Sequence, residues 1–253
     1  MSKIVLITGA TSGIGKAIAI TLAKHDFNII ICGRRRNILY ELENKLKNEH
    51  NTNVISLSFD IKDKVAVEKA IDKLPEEWRN IDILINNAGL ALGLNSIENG
   101  EMDDWETMID TNVKGLLYVS NKIINSMIKK KNGHIINIGS IAGKEVYPNG
   151  NIYCTTKHAV DALTKAMRID LLKYGIKVTG IHPGVVETEF YLVRFKGDTK
   201  SANNFYEGFT PLYGNDIAEA VLFVVTRPEH VNINELTIMP TAQANSSIIL
   251  KNN

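Results

Sequence analysis

The chain has 253 residues, 44% of them hydrophobic and 23% charged, with a formal net charge of +1 at pH 7. That composition excludes a disordered or fibrous chain, and so even a charge balance gives no reason to invoke nucleic acid or an anionic membrane as a partner. With only Cys32 and Cys154, far apart in sequence, neither a disulfide framework nor a cysteine zinc site is expected, and a reducing cytoplasm is the expected compartment.

From the N-terminus, MSKIVLITGA lacks the cationic region and cleavage site of a signal peptide, and no stretch approaches the ~18 apolar residues of a membrane span. Strand candidate KIVLIT is followed by a helical pattern over about Gly13 to His25, NIIICG by Arg36 to Glu49, and NVISLSF by Lys64 to Leu74. IDILIN then precedes Met102 to Lys131, GHIINIG precedes Gly150 to Lys173, and KVTGIH, Asn215 to Thr226 and ELTIMP complete the series. Nearly continuous apolar strands imply burial on both faces and therefore a parallel sheet. The alternation predicts an α/β chain with a single Rossmann-type doubly wound sheet, helices on both faces, and one domain over 1–253. The irregular stretch from Val185 to Tyr213 reads as a substrate lid.

The first strand runs into GATSGIG, Gly9 to Gly15, and then into a helix. Glycines let a backbone approach a pyrophosphate, and a helix N-terminus supplies unpaired N–H groups with partial positive charge. The second strand ends CGRRR, where an acidic residue would grip a ribose diol. Arg34 and Arg35 suit a ribose 2′-phosphate instead, which favours NADP over NAD, although any one arginine, Arg36 especially, can simply be solvated. Asp60 is placed to accept from an adenine amino group, to cap the next helix, or both.

In GNIYCTTKHAVDAL, Tyr153 and Lys157 stand four apart on a predicted helix and share a face. A phenol titrates near 10, and an ammonium about 4 Å away at an effective dielectric of ~20 supplies on the order of 4 kcal/mol, enough to bring it to working pH. Such a pair suits a general acid and base in alcohol–ketone interconversion. Ser140, at the end of GHIINIGS, is placed to hold a carbonyl oxygen. Asn112 is an awkward residue for a helix interior, with an ordinary side-chain-to-backbone bond as its bland role.

TGATSGIG, Asp60, NNAG from Asn86 to Gly89, Asn112, Ser140, the YxxxK of Tyr153 and Lys157, and the PG of Pro183 and Gly184 together resemble the short-chain dehydrogenase/reductases, in order and over essentially the whole chain. The resemblance implies metal-free hydride transfer between NADP and a carbinol carbon. It casts Tyr153 as the proton-exchanging group, Lys157 as its pKa-lowering and ribose-binding neighbour, Ser140 as the group orienting substrate, and Asn112 as the holder of a relay water. It also implies cofactor contacts at Gly9, Ser12, Gly13, Ile14, Gly15, Arg34, Arg35, Asp60, Asn87, Ala88, Gly89, Pro183, Gly184 and Val186, with Thr188 on the nicotinamide carboxamide.

EEWRNIDILINNAGLALG, DWETMIDTNVKGL, NGHIINIGS, ETEFYLVRFKGD and HVNINELTIMP are similar to the NADP-dependent 3-hydroxy acid dehydrogenases. That branch acts on serine, allo-threonine and related acids and assembles as homotetramers through the two long helices. A carboxylate substrate needs a cation, and within FYLVRFKGD Arg194 offers the better fork than Lys196, unless both are solvated or pair with Asp198. The alternatives are a general carbonyl reductase, a 3-oxoacyl reductase whose acidic carrier would land on Lys129, Lys130 and Lys131, and an NADP-sensing protein without chemistry.

Overall fold

The computed structural model describes residues 2–50 and 52–252. Its first half alternates β1 (Ile4–Thr8), α1 (Gly13–Ala23), β2 (Asn28–Gly33), α2 (Arg36–Glu49), β3 (Val54–Ser58), α3 (Lys64–Asp72) and β4 (Ile83–Asn86). There follow α4 (Met102–Ile109), α5 (Leu116–Lys130), β5 (Gly133–Ile138), α6 (Asn151–Leu171) and β6 (Ile176–Pro183). The chain continues through β7 (Val186–Glu187), α7 (Phe190–Arg194), α8 (Thr199–Tyr206), β8 (Leu212–Tyr213), α9 (Gly214–Val225) and β9 (Glu235–Ile238). Seven strands form one sheet in the order β3-β2-β1-β4-β5-β6-β9, every neighbouring pair parallel. This is the doubly wound sheet expected from the apolar strands.

Alternation along the strands decides which helix each side chain meets. Val5 and Ile7 of β1 pack with α1, α2 and α9, while Leu6 between them packs with α3, α5 and α6. All three are fully buried, which is why the strands are apolar throughout and not alternating. The strand order reverses at β1, flanked by β2 on one side and β4 on the other, so a crevice opens at their carboxyl ends.

Two expectations differ in detail. The helical pattern from Met102 to Lys131 is interrupted by a π turn at Asp110–Gly115. There the Asn112 carboxamide accepts from Leu90 N and donates to Leu90 O, both at 2.8 Å, so a polar side chain ties the turn to the β4 exit. The irregular stretch from Val185 to Tyr213 contains α7, α8 and the β7–β8 parallel pair. Asp198 caps α8 by accepting from Lys200 N and Ser201 N, and Tyr191 stacks on Phe205 with centroids 3.7 Å apart. Among the described residues no helix is long and apolar enough to cross a membrane.

Candidate active site

A cavity of about 480 Å³ follows the carboxyl edge of the sheet from the β1–α1 turn to α7. At the end formed by the β1–α1 turn, Gly9 and Gly13 have φ of +67° and +51°, and an added Cβ would meet Ala88 Cα at 2.9 Å or Thr188 Cβ at 3.0 Å. A Cβ on Gly15 would sit 2.4 Å from Asn87 Nδ2. Glycine is therefore required at all three positions, and the turn presents bare backbone to the cavity. The Ser12 hydroxyl makes no capping bond at the start of α1. Asn87 fixes the turn from the β4 side, donating from Nδ2 to Thr8 O at 2.9 Å and to Gly9 O at 3.2 Å. Ala88 N donates to Thr8 Oγ1 at 3.0 Å.

Arg34 and Asp60 line the same end, loosely paired at 4.0 Å. Asp60 does not cap α3, since Asp63 does so by accepting from Ala66 N; Asp60 accepts from Lys62 N in a local turn. Arg35 lies close by but is bonded to Thr11 and Glu189. Arg36 begins α2 and is exposed. Ile14, Gly89, Pro183, Gly184, Val186 and Thr188 also face the cavity.

Helix α6 brings Tyr153 and Lys157 to the middle of the cavity, 8% and 7% exposed. Lys157 Nζ donates to Ile138 O at 2.9 Å and stands 6.0 Å from the Tyr153 ring centroid. Burial lowers the Lys157 amine to about 8. Burial, with Tyr147 beside it, raises the Tyr153 phenol above its ordinary value, while Ser140 and Arg194 pull it back down. Ser140 Oγ is oriented by accepting from Ala142 N at 3.1 Å. Asn112 donates to Thr156 Oγ1 at 3.0 Å as well as holding Leu90. A Cβ on Gly89 would lie 3.2 Å from Asn112 Oδ1 and 3.6 Å from Lys157 Nζ, so a side chain there would crowd Asn112.

Arg194 is 3% exposed, neither solvated nor paired with Asp198. Its Nε donates to Gly93 O at 3.1 Å and its Nη1 to Tyr147 Oη at 2.7 Å. Its Cζ lies 5.6 Å from the Tyr153 ring centroid, and Phe190 meets that ring edge-on at 5.4 Å. Lys196 turns outward to Asp104 at 2.8 Å. Of the lysine run, Lys130 is bound to Asp82 at 2.7 Å and to Ile81 O at 2.8 Å, so it is a brace for the sheet and not a free cation.

Three further residues belong to the site. Tyr147 holds Arg194, Gln243 Oε1 accepts from Val185 N at 2.8 Å beyond the PG turn, and Phe190 walls the tyrosine. Phe190 lies in the stretch FYLVRFKGD singled out above, while Tyr147 and Gln243 had neither a motif nor a periodic position. Gln243 and Phe190 reach the cavity from segments distant in the chain, and Tyr147 reaches it from the loop just ahead of α6.

The short chain dehydrogenase family model matches residues 3–196. An NADP-dependent 3-hydroxy acid dehydrogenase of Salmonella typhi is 46% identical over 242 residues, covering 95% of this chain and 96% of that one. Sulfoacetaldehyde reductase 2 of Chromohalobacter salexigens is 43% identical over 245 residues, 96% of each. Among solved structures, the closed form of a serine dehydrogenase complexed with NADP+ superposes with a TM-score of 0.92 at 43% identity, covering 99% of this chain and all of that one.

Proposed function

The chain belongs to the short-chain dehydrogenases, and from that premise we propose that it is an NADP-dependent oxidoreductase acting on the hydroxyl-bearing C3 of small 3-hydroxy acids, of the serine, allo-threonine and 3-hydroxyisobutyrate class. The observation that carries the substrate is Arg194: a buried guanidinium in the same cavity as Ser140, Tyr153 and Lys157. Buried cations need a partner anion, and Gly93 O and Tyr147 Oη supply only neutral acceptors for Nε and Nη1. A substrate carboxylate would complete the pairing.

The residues suit the cofactor. Bare backbone at Gly9 and Gly13, with Gly15 packed against Asn87 in the first turn of α1, fits a pyrophosphate, and the cationic Arg34 at the adenosine end fits a 2′-phosphate. Bound there, NADP supplies the hydride acceptor. Ser140 holds the substrate oxygen, and Tyr153 takes the hydroxyl proton or returns it in the reverse direction. Lys157 supplies positive charge, and Asn112 with Leu90 keeps the wall behind Lys157 in place. Thr188 adds a hydroxyl at the nicotinamide end.

A single domain with Val185 to Tyr213 as lid, a homotetramer built through α5 and α6, and a cytoplasmic location belong to the same proposal. The exposed Leu117 on α5 and Ile169 on α6, with Leu172 just past the end of α6, support the assembly. A second reading has one specific support: a sulfonate satisfies the same guanidinium, and one relative is named a sulfoacetaldehyde reductase. Steady-state kcat/KM for serine, allo-threonine, their methyl esters, sulfoacetaldehyde and a neutral diketone tests both. The 3-hydroxy acid reading fails if the methyl esters turn over as well as the free acids, and yields to the second if sulfoacetaldehyde is the strongly preferred substrate.

A further inference from the structure

The two arginines after β2 are engaged very differently. Arg34 is exposed, with one contact to Asp60 at the outer limit of an ion pair, 4.0 Å. Arg35 has all three guanidinium nitrogens committed: Nε and Nη2 donate to Thr11 Oγ1 at 3.2 and 2.9 Å, and Nη1 donates to Glu189 Oε2 at 2.9 Å. Its two anchors, Thr11 and Glu189, and its own position join three separate segments of the cavity wall. Thr11 belongs to the glycine turn, Arg35 to the β2–α2 junction, and Glu189 to the residue just before α7. The approach of turn to junction is built in, because a Cβ on Gly33 would meet Thr11 Cγ2 at 2.8 Å.

We propose that Arg35 and Glu189 form a strap across the cofactor cleft, making Glu189 a positioning residue that retains the bound dinucleotide, while Arg34 alone reads the 2′-phosphate. The proposal rests on the NADP reading above. With each nitrogen already donating, Arg35 is held against Thr11 and Glu189 and keeps only two of its five N–H groups, whereas Arg34 has its whole fork free. A carboxylate beside a 2′-phosphate site would repel that phosphate unless an arginine neutralised it, and Arg35 does so. Both partners are close to half exposed, 43% and 50%, so the strap has the strength of a surface ion pair: enough to alter a release rate and weak enough to open at each turnover.

Release of NADPH and of NADH is followed by stopped-flow fluorescence in wild type, Glu189→Gln, Arg35→Gln and the double variant, at low and at 1 M salt. Glu189→Gln and Arg35→Gln should each speed release of both nucleotides about two- to fivefold. The double variant should release no faster than either single one, and high salt should bring wild type close to the variants. Amide hydrogen exchange over residues 190–206 should quicken in Glu189→Gln without any nucleotide added, and Arg34→Ala should weaken NADPH binding far more than NADH. Unchanged release overturns the strap, and so does slower release, which would mean that Glu189 competes with the phosphate. An effect of Arg35→Gln confined to NADPH also overturns it, since Arg35 would then be reading the phosphate. Wild-type preference for NADPH over NADH is measured in the same series, so failure of the cofactor reading is told apart from failure of the strap.

Discussion

Lys157 Nζ stands 6.0 Å from the centroid of the Tyr153 ring and donates to the carbonyl of Ile138 at the end of β5, while the Arg194 guanidinium carbon lies 5.6 Å from the same ring. The Tyr153 phenol thus has two cationic residues near it, from α6 and from α7, and Ser140 and Arg194 are the neighbours that draw its pKa down against burial. Helix periodicity places the lysine on the right face but does not determine where a four-carbon stem sends its amine. Here the nearest strong acceptor, a strand-end carbonyl, takes it.

Tyr153→Phe should nearly abolish turnover and leave NADP binding measurable, because it deletes the exchanged proton and none of the backbone cradle formed by Gly9 to Gly15. Single-turnover formation of NADPH, beside a fluorescence titration of the cofactor, checks both halves. Retained turnover would remove Tyr153 from the chemistry.

Lys157→Met has a signature in stability that does not depend on activity. Burial brings the folded-state amine to about 8 from an ordinary 10.5. Below pH 8 both the folded and unfolded chains hold this proton; between 8 and 10.5 the unfolded chain holds it and the folded one has released it. Folding stability therefore rises with pH across that window, by up to about 1.4 kcal/mol per pH unit from this group. Urea unfolding at pH 7.5 and 10 should show wild type gaining on the variant as pH rises. Parallel behaviour would mean that the amine is not desolvated.

Much of the nucleotide end was legible because it is local: a strand, three glycines and a helix start within a dozen residues, and backbone geometry demands glycine wherever a Cβ would strike Ala88, Asn87 or Thr188. Tyr153 and Lys157 were legible for the same reason, being one helical turn apart. The π turn at Asp110–Gly115 was hidden, since the apolar period runs straight through it and the Asn112 bonds that hold it lead to Leu90 in another segment. Arg35 and Glu189 are 154 positions apart, and Tyr147 meets Arg194 across 47. No spacing rule encodes such meetings; the sheet order creates them.

His182 supplies an acid-side prediction. Its ring is 1% exposed, both nitrogens lack a hydrogen-bond partner, and Nε2 lies 3.7 Å from Asp161 Oδ1. Burial first, then Lys144 and Lys157, lower it to about 4, against the opposing pull of Asp161 and Glu235. Those carboxylates are themselves occupied by Lys144, at 2.6 and 2.7 Å. As pH falls from the ordinary 6.5 toward 4 the unfolded chain binds a proton that the folded one refuses, so stability is lost, by up to about 1.4 kcal/mol per pH unit. His134, lowered to about 3 chiefly by burial, acts in the same direction. His182→Gln should flatten the decline between pH 6.5 and 4.5 in denaturant titrations, and an equally steep decline would assign it to His134 and the carboxylates.

Arg194 carries the most consequential prediction, because it joins substrate class to proton chemistry. Its Nε and Nη1 are tied to Gly93 O and Tyr147 Oη, so the fork is held rigidly and a carboxylate meeting it loses little rotational freedom. Arg194→Ala should lower kcat/KM for serine by roughly ten- to a hundredfold, the loss of about 1.5–3 kcal/mol from one charge-assisted contact. A neutral diketone should lose less, with its pH profile displaced upward, since a group that draws the Tyr153 phenol down has been removed. Arg194→Lys separates the two roles. It keeps the charge near Tyr153 and should restore the diketone profile, but it replaces a fork by a point charge and should leave serine impaired. Equal losses on both substrates in both variants would make Arg194 a brace for the Gly93 loop and move the carboxylate anchor elsewhere. Full recovery by lysine on both would show that charge alone, and not the fork, is what the site uses.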